Sequence, residues 1–131
     1  MEKTGKQKVG ELGEQIACEF LVKRGYSVLD RNYRKKWGEI DIIALRDGIT
    51  HFIEVKSVSR ENRGEISRGT SDYRPEENVH PAKLRRLSRT IQSYLIEKGI
   101  EDREWVFDVA AVFLAISKKE ALVRFTENIV L

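Results

Sequence analysis

The stretch Gly38-Glu39-Ile40-Asp41-Ile42-Ile43-Ala44-Leu45-Arg46-Asp47-Gly48-Ile49-Thr50-His51-Phe52-Ile53-Glu54-Val55-Lys56 decides the fold. Two runs rich in Ile, Val and Phe flank Asp47-Gly48, a dipeptide that signals a tight β-hairpin. With those two as the turn residues, Arg46 faces Ile49, Leu45 faces Thr50, Ile43 faces Phe52, Asp41 faces Glu54 and Glu39 faces Lys56. Alternation across the pleat then puts Glu39, Asp41, Ile43, Thr50, Phe52, Glu54 and Lys56 on one face. A four-residue loop keeps this pairing, whereas a three-residue loop slips it and scatters the set.

Directly opposed carboxylates such as Asp41 and Glu54 repel each other across a sheet. Strands this apolar on both faces read as central and covered, where an unpaired carboxylate costs several kcal/mol. A divalent cation between the two acids would turn repulsion into binding. Hard cations such as Mg²⁺ take carboxylate and carbonyl oxygens and keep several waters. The alternative is ordinary ion pairing across the strands, Glu54 with Lys56 or Arg46 and Glu39 with Lys56. Spacing alone leaves both open, since short Asp-to-Glu-x-Lys patterns arise by chance.

The chain around this hairpin has 131 residues, 40% hydrophobic and 34% charged, which suits a single soluble domain spanning residues 1–131. No apolar run approaches the length of a membrane span. Residues 1–8 are polar and basic and lack the apolar segment of a secretory signal. One cysteine, Cys18, excludes an internal disulfide and a thiolate metal cage, and two histidines, His51 and His80, leave little for zinc. A cytoplasmic location is the expectation. The net charge is only +3, but Lys56 to Arg89 holds nine Lys/Arg against five Asp/Glu. That local excess, just downstream of the acids, would draw a phosphate backbone, or is a solvated surface with scattered ion pairs.

Upstream, Val9, Leu12, Ile16 and Phe20 recur at helical spacing, predicting an amphipathic helix over residues 9–24. Gly10, Gly13 and Ala17 are small enough to let its axis approach a sheet, and Gly25 ends it. Glu14 lies at the margin of the buried stripe, either a snorkelling surface carboxylate or a third acid aimed at the hairpin. Tyr26 to Leu29 reads as a short strand and Asp30 to Lys36 as a basic connector. Trp37 reads as a cap on the sheet.

Downstream, Ser57 to Asn78 shows no periodicity, and a structureless stretch of roughly twenty residues in a compact domain tends to be functional or disordered. Arg60, Arg63 and Tyr73 make it a candidate substrate-embracing loop. Pro81 opens a second helix whose stripe is Leu84, Leu87, Ile91, Tyr94 and Leu95, closed by Gly99. Lys83, Arg85, Arg86 and Arg89 give it a basic flank for phosphate. Trp105 to Ala115 is a nearly unbroken apolar run, hence a strand buried on both sides. Asp108 interrupts it and needs a partner, expected to be an arginine. Leu122 to Phe125 adds a final strand.

The order and spacing of Gly10-Glu11-Leu12-Gly13-Glu14, Gly38-Glu39-Ile40-Asp41, Glu54-Val55-Lys56 and Phe107-Asp108-Val109 resemble the YraN family of uncharacterised bacterial proteins over nearly the whole chain. The core is also similar to restriction-endonuclease-like, or PD-(D/E)XK, nucleases, including archaeal Holliday junction resolvases. Ile40 stands where that superfamily often has proline. The resemblance implies an α/β fold with a central mixed sheet of four to five strands flanked by two main helices. It implies that Asp41 and Glu54 hold Mg²⁺ or Mn²⁺ with the Val55 carbonyl, that Glu14 reaches the ion directly or through water, and that Lys56 positions the attacking water. The reaction would be phosphodiester hydrolysis in DNA, branched DNA included, with Arg60, Arg63, Lys83, Arg85, Arg86 and Arg89 on the phosphates. Junction-cutting relatives pair up, so a homodimer is an option. The competing reading is a non-catalytic nucleic-acid-binding or partner-binding module on the same scaffold.

Overall fold

The computed structural model describes residues 5–59 and 81–129. The order of elements is α1 (Gly5–Lys23), β1 (Ser27–Lys35), β2 (Gly38–Arg46), β3 (Ile49–Ser59), α2 (Pro81–Lys98), β4 (Trp105–Ala115) and β5 (Glu120–Thr126). A short 3-10 turn, Ile116–Lys118, joins the last two strands. The five strands form one sheet in the order β1-β2-β3-β4-β5. All neighbours are antiparallel except β3 and β4. Parallel neighbours require a crossover, and α2 lies within it. The fold is thus the expected mixed-sheet α/β architecture with two main helices.

The pleat of β4 distributes the core. Ala110, Val112 and Leu114 join Ala17 and Leu21 of α1 in one cluster. Phe107 and Val109 join Leu87, Ile91, Tyr94 and Leu95 of α2 in another. The sheet is therefore covered by a helix on each side, and β4 is apolar except for Asp108 because both of its faces are covered. Leu84 is only half-buried in the α2 stripe.

Two glycines set how close the helices come. A Cβ on Gly13 would sit 1.8 Å from the Ser57 Oγ of β3, and one on Gly38 would sit 2.7 Å from the Thr90 Oγ1 of α2. Gly13, Ala17 and Leu21 form the centre of the buried arc of α1, so Leu12 falls at its margin and is 42% exposed rather than core. The helix also begins earlier than periodicity indicated, at Gly5.

The connector expected over Asp30 to Lys36 is instead strand. β1 runs on to Lys35, pairing Arg34 with Glu39 and Lys35 with Gly38. Its polar sequence hid this because an edge strand needs only one partner and keeps much of its surface in water. The loop expected from Ser57 likewise starts later, since β3 continues to Ser59 beside Leu114. The rest of that loop, with Arg60, Arg63 and Tyr73, lies outside the described residues, as does His80.

Asp108 finds a histidine, not an arginine. Its Oδ2 is 2.5 Å from His51 Nδ1, and its Oδ1 accepts the Asn128 N–H at 2.8 Å. The two side chains share the α1 side of the parallel pair β3–β4, which brings residues distant in sequence into contact. Tyr26 packs edge-on against His51 at 4.9 Å between ring centres, completing a polar knot under the end of α1. Cys18 is buried and serves packing.

Candidate active site at the parting of two strands

The hairpin has the expected register from Arg46↔Ile49 through Leu45↔Thr50 and Ile43↔Phe52 to Ile42↔Ile53, where the ladder ends. The expected ladder pairs Asp41–Glu54 and Glu39–Lys56 do not form. Asp41 meets β3 through its side chain instead, with Oδ2 accepting the Val55 N–H at 2.8 Å. Glu39 turns the other way and pairs with Arg34 of β1 at 3.0 Å.

The cause is a slip of the pleat. Ile42 belongs to the α1 cluster, whereas Ile40, two residues earlier, belongs to the α2 cluster. Strict alternation would put both on one side. The neighbouring strand slips at the same level. Arg31 reaches Gln15 of α1, but Tyr33 packs edge-on against Tyr94 of α2. Between them Asn32 has φ 53°, a left-handed conformation that asparagine tolerates better than most residues. Asn32 and Asp41 are thus the residues about which both strands turn over.

Because of that slip, Asp41 borders two hollows. One, of about 630 Å³ on the α1 side, is lined by Glu14, Asn32, Arg34, Val55 and Ser57 among others. The other, of about 220 Å³ on the α2 side, is lined by Glu39, Glu54, Lys83, Arg86 and Leu87. β3 keeps its alternation, so Val55 joins the α1 cluster while Glu54 and Lys56 share the side of Phe52. Asp41 and Glu54 therefore meet in the α2-side cleft, and Glu14 meets Asp41 from the opposite side.

Charge in this region is crowded. Burial first, then the carboxylates of Glu14, Glu54 and Glu39, pushes Asp41 up to about 7, against the Val55 N–H that favours its anion. Glu14 is also raised, again mainly by burial. Glu54 Oε1 is held by Lys56 Nζ at 3.2 Å and by Lys83 Nζ at 2.5 Å. Its Oε2 is buried and has no hydrogen-bond partner. Burial works against the Lys56 ammonium, but the negative charge of Glu54 and its contact with the amine leave the pKa raised, so Lys56 is a cation.

The other expected contacts divide. Lys83 and Arg86 line the cleft. Arg89 lies 4.2 Å above the Trp37 ring, so Trp37 caps the α2 side of the sheet with an arginine on top. Arg85 is exposed. Arg60 and Arg63 lie outside the described residues. Asn32 and Ser57 were missed; the asparagine within a basic run was the available hint, because it suits a positive φ.

The donor set fits a hard divalent cation in kind: Asp41 and Glu54, with Glu39 nearby, bring carboxylates to one cleft, and Glu54 has an orphaned buried oxygen, where the β2–β3 ladder ends. Among the described residues, no three His, Cys, Asp or Glu side chains gather closely enough to hold an ion by themselves. Water and backbone oxygen would have to complete any shell.

The arrangement defines an α/β protein with an acid-and-lysine cleft where two central strands part, and none of the described helices is long and apolar enough to cross a membrane. The chain belongs to the uncharacterised protein family UPF0102, whose model matches residues 13–112, in keeping with the YraN resemblance. It is 38% identical over 120 residues to a UPF0102 protein of Campylobacter jejuni, covering 92% of this chain and 91% of that one. A UPF0102 protein of Alkaliphilus metalliredigens is 39% identical over 113 residues, covering 86% and 91%. One from Symbiobacterium thermophilum is 42% identical over 106 residues, covering 81% and 82%.

Proposed function

We propose that the chain is a metal-dependent nuclease of the restriction-endonuclease-like kind, hydrolysing phosphodiester bonds in DNA and selecting by DNA structure rather than base sequence. The observation that carries this reading is the α2-side cleft, where Asp41 resists ionisation and Glu54 keeps a buried oxygen without a partner beside two lysines. Such a site is short of positive charge at its centre. Asp41, Glu54 and the Val55 carbonyl would hold Mg²⁺ or Mn²⁺, and Glu14, on the other side of Asp41, would reach it only through water. A bound ion would lower the pKa of a water and offset charge on phosphoryl oxygens. Lys56 would orient that water or oppose negative charge in the transition state. Arg86 lines the cleft and Arg85 is exposed on the same helix, so both can take substrate phosphates.

The test is a panel of linear, single-stranded, flap and four-way DNAs incubated with Mg²⁺ or Mn²⁺. Metal-dependent cleavage is expected, with Asp41→Asn and Lys56→Ala each reducing the rate by roughly a hundredfold or more while DNA affinity changes little. Cleavage that persists in both variants refutes the assignment.

A second reading rests on the same cleft. Two lysines already occupy Glu54 Oε1, as in a purely structural ion pair. A non-catalytic nucleic-acid-binding module would show salt-sensitive binding that falls when Arg85, Arg86 and Arg89 are neutralised, no turnover with any metal, and indifference to Asp41→Asn.

A further inference from the structure

Lys83 has an occupation that a phosphate-binding residue on an exposed helix would not have. It stands on the first turn of α2 and reaches Glu54 Oε1 at 2.5 Å, closer than Lys56 at 3.2 Å on the same oxygen. The Glu54 side chain is 13% exposed and that of Lys83 32%. One carboxylate needs one cation, and ordering a second long side chain costs rotamer freedom. The crowd of acids supplies the reason. Asp41 and Glu39 line the same cleft, and Glu14 stands behind Asp41.

We infer that Lys83 is a built-in stand-in for the divalent ion, a positioning residue that holds Glu54 in the cleft until the ion arrives and is then released toward the substrate. The inference rests on the metal-site reading above and specifies how loading that site is coupled to DNA. An ion approaching Glu54 competes with Lys83 for the same carboxylate. Once displaced, the ammonium stays tethered at the cleft beside Arg86, one turn further along α2, and adds a point charge for phosphate. Ion and DNA therefore reinforce each other, each favouring the state in which Lys83 has left Glu54. Lys56 cannot play this part, because it is fixed on the same strand two residues from Glu54.

The experiment compares the full chain with Lys83→Met, Lys83→Arg and Arg86→Met. Calorimetry measures Mg²⁺ and Mn²⁺ binding without DNA, and anisotropy measures the affinity for a labelled four-way DNA with and without Ca²⁺. Lys83→Met is expected to bind the divalent ions roughly two- to fivefold tighter, the range set by a partly exposed ion pair. It is also expected to lose most of the Ca²⁺ enhancement of DNA binding. Lys83→Arg restores both properties toward wild type. Arg86→Met removes the same charge from the same cleft without touching Glu54, so it weakens DNA binding but keeps the Ca²⁺ enhancement. Unchanged or weaker ion binding by Lys83→Met, or matching behaviour of Arg86→Met, overturns the stand-in role while leaving the metal site intact. Absence of divalent-ion binding in the wild-type chain overturns the metal-site reading itself.

Discussion

Replacing Asp41 by asparagine should make the protein more stable at pH 8 in the absence of divalent ions. Burial and the neighbouring carboxylates raise Asp41 from 3.8 to about 7. A tenfold change in proton affinity is worth about 1.4 kcal/mol, so ionised Asp41 carries a penalty in the folded state on the order of 4 kcal/mol. Between about pH 4 and pH 7 the folded chain binds more protons at this site than the unfolded chain. The stability that neutral Asp41 contributes is therefore complete below about pH 4 and lost as pH rises to about 7. Asparagine keeps an oxygen for the Val55 N–H but never ionises. It is a weaker acceptor than a carboxylate, and neighbouring side chains relax around the charge, which leaves an expected gain of about 1–3 kcal/mol at pH 8. For a domain of this size that is a rise in Tm on the order of 3–10 °C. Thermal unfolding followed by circular dichroism in EDTA at pH 5 and pH 8 measures it. The advantage of Asp41→Asn should be large at pH 8 and shrink at pH 5. A variant less stable at pH 8, or a difference that is the same at both values, would refute the account of a strained acid.

Two further substitutions test the packing that creates the site. Gly13→Ala drives a methyl to within 1.8 Å of Ser57 Oγ and 2.9 Å of its Cβ, so urea unfolding should show a loss of about 1–3 kcal/mol that Ser57→Gly substantially restores. Asp108→Ala leaves both the Asn128 N–H and the buried His51 without their acceptor, which should cost about 2–4 kcal/mol in the same measurement. An Asp108→Ala loss under about 1 kcal/mol would mean that the His51–Asp108 knot is not what ties residues 127–129 to the sheet.

Most of the frame was legible along the chain. Asp47-Gly48 fixed the turn because few residues accept the positive φ that a tight hairpin requires, and both have it here, at 51° and 76°. The run from Trp105 to Ala115, apolar but for Asp108, announced a strand with a covered face on either side. The stripes of α1 and α2 located their buried faces, although Leu12 is exposed and Leu84 only half-buried. Less legible was β1, where Asp30 to Lys35 carries polar side chains that an edge strand can place in water.

The candidate site divides the same way. The residue types, Asp41 before Glu54-x-Lys56, were visible in order, and local alternation placed Glu54 and Lys56 together on β3. Local alternation could not say that the pleat slips at Asn32 and Asp41, since a slip depends on two strands turning over together between helices pulled close at Gly13 and Gly38. That packing ends the β2–β3 ladder at Ile42↔Ile53 and opens Asp41 to a hollow on each side. It also decides that the amine nearest Glu54 comes from Lys83 of α2 rather than from the strand itself. Pattern along a chain records what each residue prefers over one or two pleats or turns. Which charges meet in a cleft depends on how separate elements are stacked, and only the folded sheet with a helix on each face settles that.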